Sequence, residues 1–176
     1  DPLSMDIVTH ALLGAFAAAT VAPKRAKRSN WALVGGVCAL LPDLDVLIRS
    51  SDDPLLVLEY HRHFTHSLFF APLGAAVGML LLWPFFRRRL NLKALYAACL
   101  IGYISACLLD VCTSYGTYLL WPVVPKPIAL GIIAVVDPLF SLLIAVGLGL
   151  CLWSRHGRLH WLGRLHWLVL LAGALY

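Results

Sequence analysis

Residues 92–110 read LKALYAACLIGYISACLLD. Between Lys93 and Asp110 there is no charge, and the run Leu92 to Leu109 approaches the roughly twenty apolar residues that a helix needs to cross a hydrocarbon core. Working outward, similar runs bounded by charge or turn residues lie at Ile7 to Val21, Trp31 to Leu47, Ser67 to Phe86 and Pro138 to Trp153, and another starts at Leu165. The whole chain of 176 residues is 61% hydrophobic and 13% charged, with a mean hydropathy of +0.83. A soluble domain is about half apolar and about a quarter charged. The expected fold is therefore an all-α polytopic membrane protein of five to six transmembrane helices. Several runs are short, which a locally thinned bilayer or helix ends below the headgroups would accommodate. Leu119 to Val136 is also apolar, but Pro122, Pro125 and Pro127 argue for a re-entrant or interfacial segment there.

The charges sort by connection. Ala22 to Asn30, Arg87 to Lys93 and Ser154 to Arg164 hold four, four and three of the 14 Lys and Arg, and none of the nine acidic residues. These loops alternate with the others, so the positive-inside rule places them in the cytoplasm. The N-terminus, the Ile48 to His66 connection and the Val111 to Asp137 connection then lie outside. The net charge of +5 is an orientation signal, and nucleic-acid binding is not implied.

Asp1 to Ser4 precede Met5, which reads as the natural start, so they are set aside as an artificial leader. Residues 5–176 read as a single transmembrane domain that the natural protein is expected to continue, because the last apolar run stops after twelve residues. No basic stretch before the first run suggests a secretory signal. Five cysteines without a C-x-x-C pair read as small packing residues.

Apart from Asp1, every carboxylate falls at an outer span end or in an outer loop, and so do His10, His61, His63 and His66. An unpaired Asp within a span costs about 2.5 to 3.5 kcal/mol on insertion scales. His10, Asp43, Asp110 and Asp137 sit within or at the edge of apolar runs and need compensation, and a bound divalent cation is one economical way to supply it. Taken singly these residues are ordinary: a lone His is usually a packing residue, Asp137 before Pro138 is a good helix cap, and Asp43, Asp45 and Thr65 could end or cap helices. Imidazole nitrogens and carboxylates converging from five span ends are what a zinc-type site requires. On helical spacing, His63 and Arg62 could each share a face with His66, whereas His61 reaches the same centre only if a helix begins near Thr65. Thr113 and Ser114 could support the site or bond backbone carbonyls.

Met5-Asp6-Ile7-Val8-Thr9-His10-Ala11 with Gly14, Leu41-Pro42-Asp43-Leu44-Asp45, His61-Arg62 with Thr65-His66-Ser67, Leu108-Leu109-Asp110 with Thr113 to Thr117, and Val136-Asp137-Pro138-Leu139-Phe140 form one ordered set. In these strings the chain resembles the YdjM-like family of bacterial inner-membrane proteins, membrane-bound metal-dependent hydrolases distantly similar to zinc-dependent phospholipases C. The resemblance runs from Met5 to about Ser141. Many members have His-x-x-x-Asp where this chain has Ala106 to Asp110, so one imidazole is missing, and Cys107 is about 100° round a helix from that position.

Physics and resemblance together give the expected function. Water activated by a divalent metal, zinc as one or two ions, attacks an ester of a membrane-lipid headgroup, with a phosphoester the best fit, at the extracytoplasmic face of the inner membrane. His10, Asp43, His66 and Asp110 are the expected ligands, with His61 and Asp137 next. Asp45 or His63 would act as general base or support the ligands. Arg62 would hold a phosphate oxygen, and Thr113 and Tyr115 would contact substrate. Two other classes remain: a non-enzymatic metal-binding protein or transporter, and an intramembrane metalloprotease, which lacks an H-E-x-x-H helix here. The topology is open to cysteine labelling in intact cells. Leu90→Cys is expected to be protected and Asp52→Cys to react, and the reverse pattern would put the site in the cytoplasm.

Overall fold

The computed structural model describes residues 7–47, 62–132 and 138–153. They form helices α1 (Ile7–Val21), α2 (Arg28–Cys38), α3 (Ala71–Phe86), α4 (Leu92–Cys112) and α5 (Pro138–Trp153), with 3₁₀ turns at Pro42–Leu47 and Phe64–His66. Among the described residues there is no strand, only an isolated bridge between Thr117 and Ile128. The fold is all-α, as the composition requires.

Local sequence sets the helix ends. Pro23 follows closely on α1, and α4 starts where Asn91 caps it, its side chain accepting the Ala94 N–H at 2.8 Å. Two stretches are long and apolar enough to cross a membrane, Arg28–Leu47 with 20 residues and Leu92–Cys112 with 21. Helices α1, α3 and α5 are apolar but shorter, with 15, 16 and 16 residues. The run expected to be one helix from Trp31 to Leu47 is divided: α2 stops at Cys38, and Pro42 opens a 3₁₀ turn. Proline has no N–H to give the preceding turn, and its ring crowds the carbonyl four residues back. The run from Ser67 becomes α-helical only at Ala71, and Thr65 lies in the separate 3₁₀ turn Phe64–His66. Residues 113–132 carry no helix, in keeping with the prolines there. The run from Leu165 lies outside the described residues.

Small side chains bring the helices together. A Cβ on Gly14 would lie 2.6 Å from the Gly35 carbonyl oxygen, and one on Gly102 would lie 2.1 Å from that same oxygen. Backbones of α1, α2 and α4 thus meet at one point. Helix α3 joins through Gly74 on the Tyr103 ring, and α5 through Gly147 against Phe16. Meanwhile Leu33, Val37, Leu73, Val77, Leu80, Leu81, Phe85, Leu142 and Val146 are exposed. Small residues inside and large apolar ones outside is the pattern of helices packed in lipid, where apolar burial supplies no drive and close backbone approach does. At the basic end, Arg28 donates to the Cys151 carbonyl at 3.0 Å, satisfying an acceptor in the last turn of α5.

The cysteines are all free, with Cys38, Cys99 and Cys107 buried in the packing. Gly102 offers a direct test of the three-helix junction. Gly102→Ala should destabilise the detergent-solubilised protein by about 1–3 kcal/mol or more, because backbone rather than a movable side chain blocks the new methyl. Gly149→Ala, where nothing lies within 4 Å, should leave the melting temperature unchanged or slightly higher.

Candidate metal centre

Asp110, in the last turn of α4, has a side chain with no solvent exposure. Its Oδ1 lies 3.1 Å from His10 Nε2 on α1, and its Oδ2 lies 3.0 Å from His66 Nε2 in the second 3₁₀ turn. The same His66 Nε2 is 3.3 Å from Asp43 Oδ1 in the first turn. Ligand atoms of His10, Asp43 and Asp110 all lie within 4.8 Å of one another. His10, Asp43 and Asp110 thus come together from three separate elements, and His66, from a fourth, lies against Asp43 and Asp110.

The other face of His66 is also occupied. Thr65 donates its hydroxyl proton to Asp45 Oδ2 at 2.9 Å, and the Thr65 oxygen lies 3.1 Å from His66 Nδ1. With its proton given to Asp45, the Thr65 oxygen can only accept, so His66 Nδ1 carries the hydrogen, and in the neutral ring Nε2 is a bare lone pair. That lone pair faces two carboxylates. The contact is repulsive unless a positive charge lies between them or on the ring. Burial would lower the His66 pKa, but Asp110, Asp43 and Asp45 outweigh it and hold the imidazole well above its usual range.

A divalent cation fits this arrangement on three observations. Asp43 Oδ2 is buried without a hydrogen-bond partner. Asp110 Oδ2 is close to His66 Nε2 but off the line of a hydrogen bond. Zinc bonds of about 2.0–2.1 Å put tetrahedral ligands roughly 3.3 Å apart; the neighbouring nitrogen–oxygen separations here are of that size, 3.1 Å to Asp110 Oδ1, 3.0 Å to Asp110 Oδ2 and 3.3 Å to Asp43 Oδ1, within a His10, Asp43 and Asp110 group that spans up to 4.8 Å.

Asp45 is a supporting group by position. Its Oδ2 accepts from the Arg62 N–H at 2.9 Å and from Thr65, and lies 3.4 Å from His66 Nδ1. A carboxylate on the far nitrogen of a ligating imidazole fixes the tautomer and orients the ring, and one so fully engaged is poorly placed to accept a proton from water. Arg62 has φ of 60°, a left-handed conformation that side chains resist, and it is held there by Asp45 and by the Tyr118 N–H, which donates to its carbonyl at 3.2 Å. Its guanidinium is buried, with Nη2 3.9 Å from Asp110 Oδ1, Nη1 donating to Thr113 Oγ1 at 3.2 Å and the exposed Tyr115 ring 5.2 Å away. Arg62 Nε is buried without an acceptor. Thr113 also donates to the Asp110 carbonyl at 2.7 Å, so its hydroxyl does both things that the sequence allows.

His63 lies among aromatic rings, 4.7 Å from Tyr118 and 5.5 Å from Trp121 between centroids. His61 and Asp137 lie outside the described residues. Two contributors were not foreseen. Thr65 bridges Asp45 and His66, and Tyr103 donates to the Thr65 carbonyl at 2.6 Å. Only the spacing of Tyr103, two turns before Asp110 on the same helix face, could have pointed to it.

A bundle of apolar helices with a buried His and Asp cluster at their ends defines a membrane protein with a candidate metal centre. The family model of the YdjM inner membrane proteins matches residues 5–176, and the chain belongs to that family. No curated protein and no solved structure matches the chain.

If the cluster is a metal centre, elemental analysis of the purified protein should find at least one transition metal per chain. His66→Ala combined with Asp110→Ala should remove it. Chelation should also lower the melting temperature, since an ion at a hundred times its Kd stabilises by about 2.7 kcal/mol. A metal-free preparation of equal stability would exclude the centre.

Proposed function

We propose that this chain is a multi-pass inner-membrane hydrolase that depends on a divalent metal, with zinc the best fit to its nitrogen and oxygen donors. The five described helices and the run from Leu165 would supply five to six spans, with the site at their extracytoplasmic ends. Its substrate would be an ester of a membrane-lipid headgroup, and a phosphoester suits the site best. The observation that carries this reading is the group of buried His10 and Asp110 with half-buried Asp43, two of whose carboxylate oxygens have no hydrogen-bond partner among the described residues.

His10, Asp43, His66 and Asp110 would hold the ion, and His61 and Asp137 are proposed as further ligands. When bound, the ion would supply Lewis acidity and bring the pKa of water toward neutrality. The protein's own groups then have distinct tasks. Asp45 and Thr65 keep the His66 lone pair aimed inward. Arg62 offers a buried donor, Nε, with no acceptor among the described residues, and a phosphate oxygen would satisfy it. Thr113 and Tyr115 hold the guanidinium from two sides and would adjoin the substrate. His63, half-buried against Tyr118 and Trp121, remains the candidate general base.

Purified protein incubated with mixed bacterial phospholipids should release headgroups, and a chelator should stop it. Arg62→Lys keeps the charge but loses the planar fork. Turnover of a phosphodiester lipid should fall by a factor on the order of ten to a hundred, about 1.4 to 2.7 kcal/mol of transition-state binding. A neutral ester should lose much less. Absence of metal-dependent turnover across lipid classes would favour a non-enzymatic metal-binding protein or transporter instead.

A further inference from the structure

Tyr103 lies deep in the bundle, 1% exposed, two helical turns before Asp110 on α4. Residues seven apart fall on nearly the same face of a helix and about 10 Å apart along it. Both reach the same short turn. Asp110 meets the His66 ring, while the Tyr103 hydroxyl donates to the Thr65 carbonyl at 2.6 Å. The Tyr103 ring is itself held in a slot: a Cβ on Gly74 of α3 would lie 2.3 Å from its Cε2 and 2.5 Å from its Cζ. Little freedom is left to the phenol.

We infer that Tyr103 is a positioning residue for the metal centre, fixing the Thr65–His66 turn from inside the bundle so that the His66 imidazole meets Asp43 and Asp110. This rests on the proposed metal-centre reading. The turn is a single 3₁₀ turn of three residues, Phe64–His66, too short to hold its own geometry. Its hydroxyl, its carbonyl and its imidazole are each bonded to a different neighbour: Asp45, Tyr103 and the Asp43–Asp110 pair. Of these three points the Tyr103 bond is the one that involves no carboxylate, so removing it frees the turn without touching Asp43, Asp45 or Asp110. The ring then keeps its outer partners but can swing about them.

The same helix supplies a control. Tyr96 also donates its hydroxyl to a backbone carbonyl, that of Pro72 at 3.3 Å, at the start of α3 and away from the turn. The test compares wild type, Tyr103→Phe and Tyr96→Phe as full-length protein in detergent, with zinc affinity measured by competition against a chromophoric chelator. Melting of the chelator-treated proteins serves as the fold readout. Tyr103→Phe should bind zinc about tenfold more weakly, the usual scale for removing a group that orients a ligand. Its chelator-treated melting should match wild type, and Tyr96→Phe should match wild type in both. Gly74→Ala, which pushes the ring from its slot, should weaken zinc in the same direction. Equal affinity of Tyr103→Phe and wild type would overturn the inference while leaving the metal centre intact. So would a large drop in the chelator-treated melting of Tyr103→Phe, which would make the phenol a packing group. A wild-type protein that binds no zinc would remove the metal-centre reading itself.

Discussion

Asp110 is a carboxylate without solvent contact at the end of the longest apolar helix, and the rest of the structure is arranged to tolerate it. A charge in that position costs several kcal/mol unless partners or a cation compensate it. Compensation comes from three side chains: His10 from α1, His66 from the second 3₁₀ turn, and Arg62 just before it. Each partner arrives from a different element. The carboxylate can be buried only if all those elements are held in register, so the fold and the site are one constraint.

Register is provided lower down, by glycine. The Gly35 carbonyl is approached by Gly14 from α1 and by Gly102 from α4 at distances that no Cβ could share. His10 is one turn before Gly14, and Asp110 is two turns after Gly102. The junction therefore sets the height at which imidazole and carboxylate meet. A second link, between the hydroxyls of Thr9 and Ser141, ties α1 to α5 beside the same histidine. In lipid, where apolar contact between helices gains little over contact with acyl chains, such close backbone approach and polar links have to define the packing.

Much of this was legible in the sequence because lipid imposes simple rules. Apolar runs gave the positions of the helices, and the outward large residues such as Leu80 and Phe85 agree with them. The expense of burying charge singled out His10, Asp43, Asp110 and Asp137; the structure brings the first three into one group beside His66, and Asp137 lies outside the described residues. What hydropathy could not convey is local geometry. Pro42 ends α2 and turns the next residues into a 3₁₀ helix, and Arg62 adopts a positive φ that nothing in its side chain favours. The task of Asp45 was left open between base and support because it depends on which nitrogen of His66 it faces, a matter of tertiary contact. Tyr103 was hidden for the same reason: among apolar neighbours a phenol reads as packing until its acceptor is known.

The 3₁₀ form of Pro42–Leu47 explains how one short motif can do two jobs. With three residues per turn, positions two apart point about 240° round the axis, or about 120° the shorter way, so Asp43 and Asp45 leave the turn in different directions. They take opposite sides of one ring, Asp43 at 3.3 Å from Nε2 and Asp45 at 3.4 Å from Nδ1. An α-helix would separate the same two residues by about 200°, but Pro42 would then sit within its ladder. Breaking the helix at proline therefore does more than end a span. It opens a short turn whose carboxylates bracket His66, placing Asp43 beside Asp110 where the two could share the proposed ion, while Asp45 fixes the imidazole and, through the Arg62 N–H, the strained residue beside it. Both the cation-binding side and the anion-binding side of the proposed site are thereby held by a single turn.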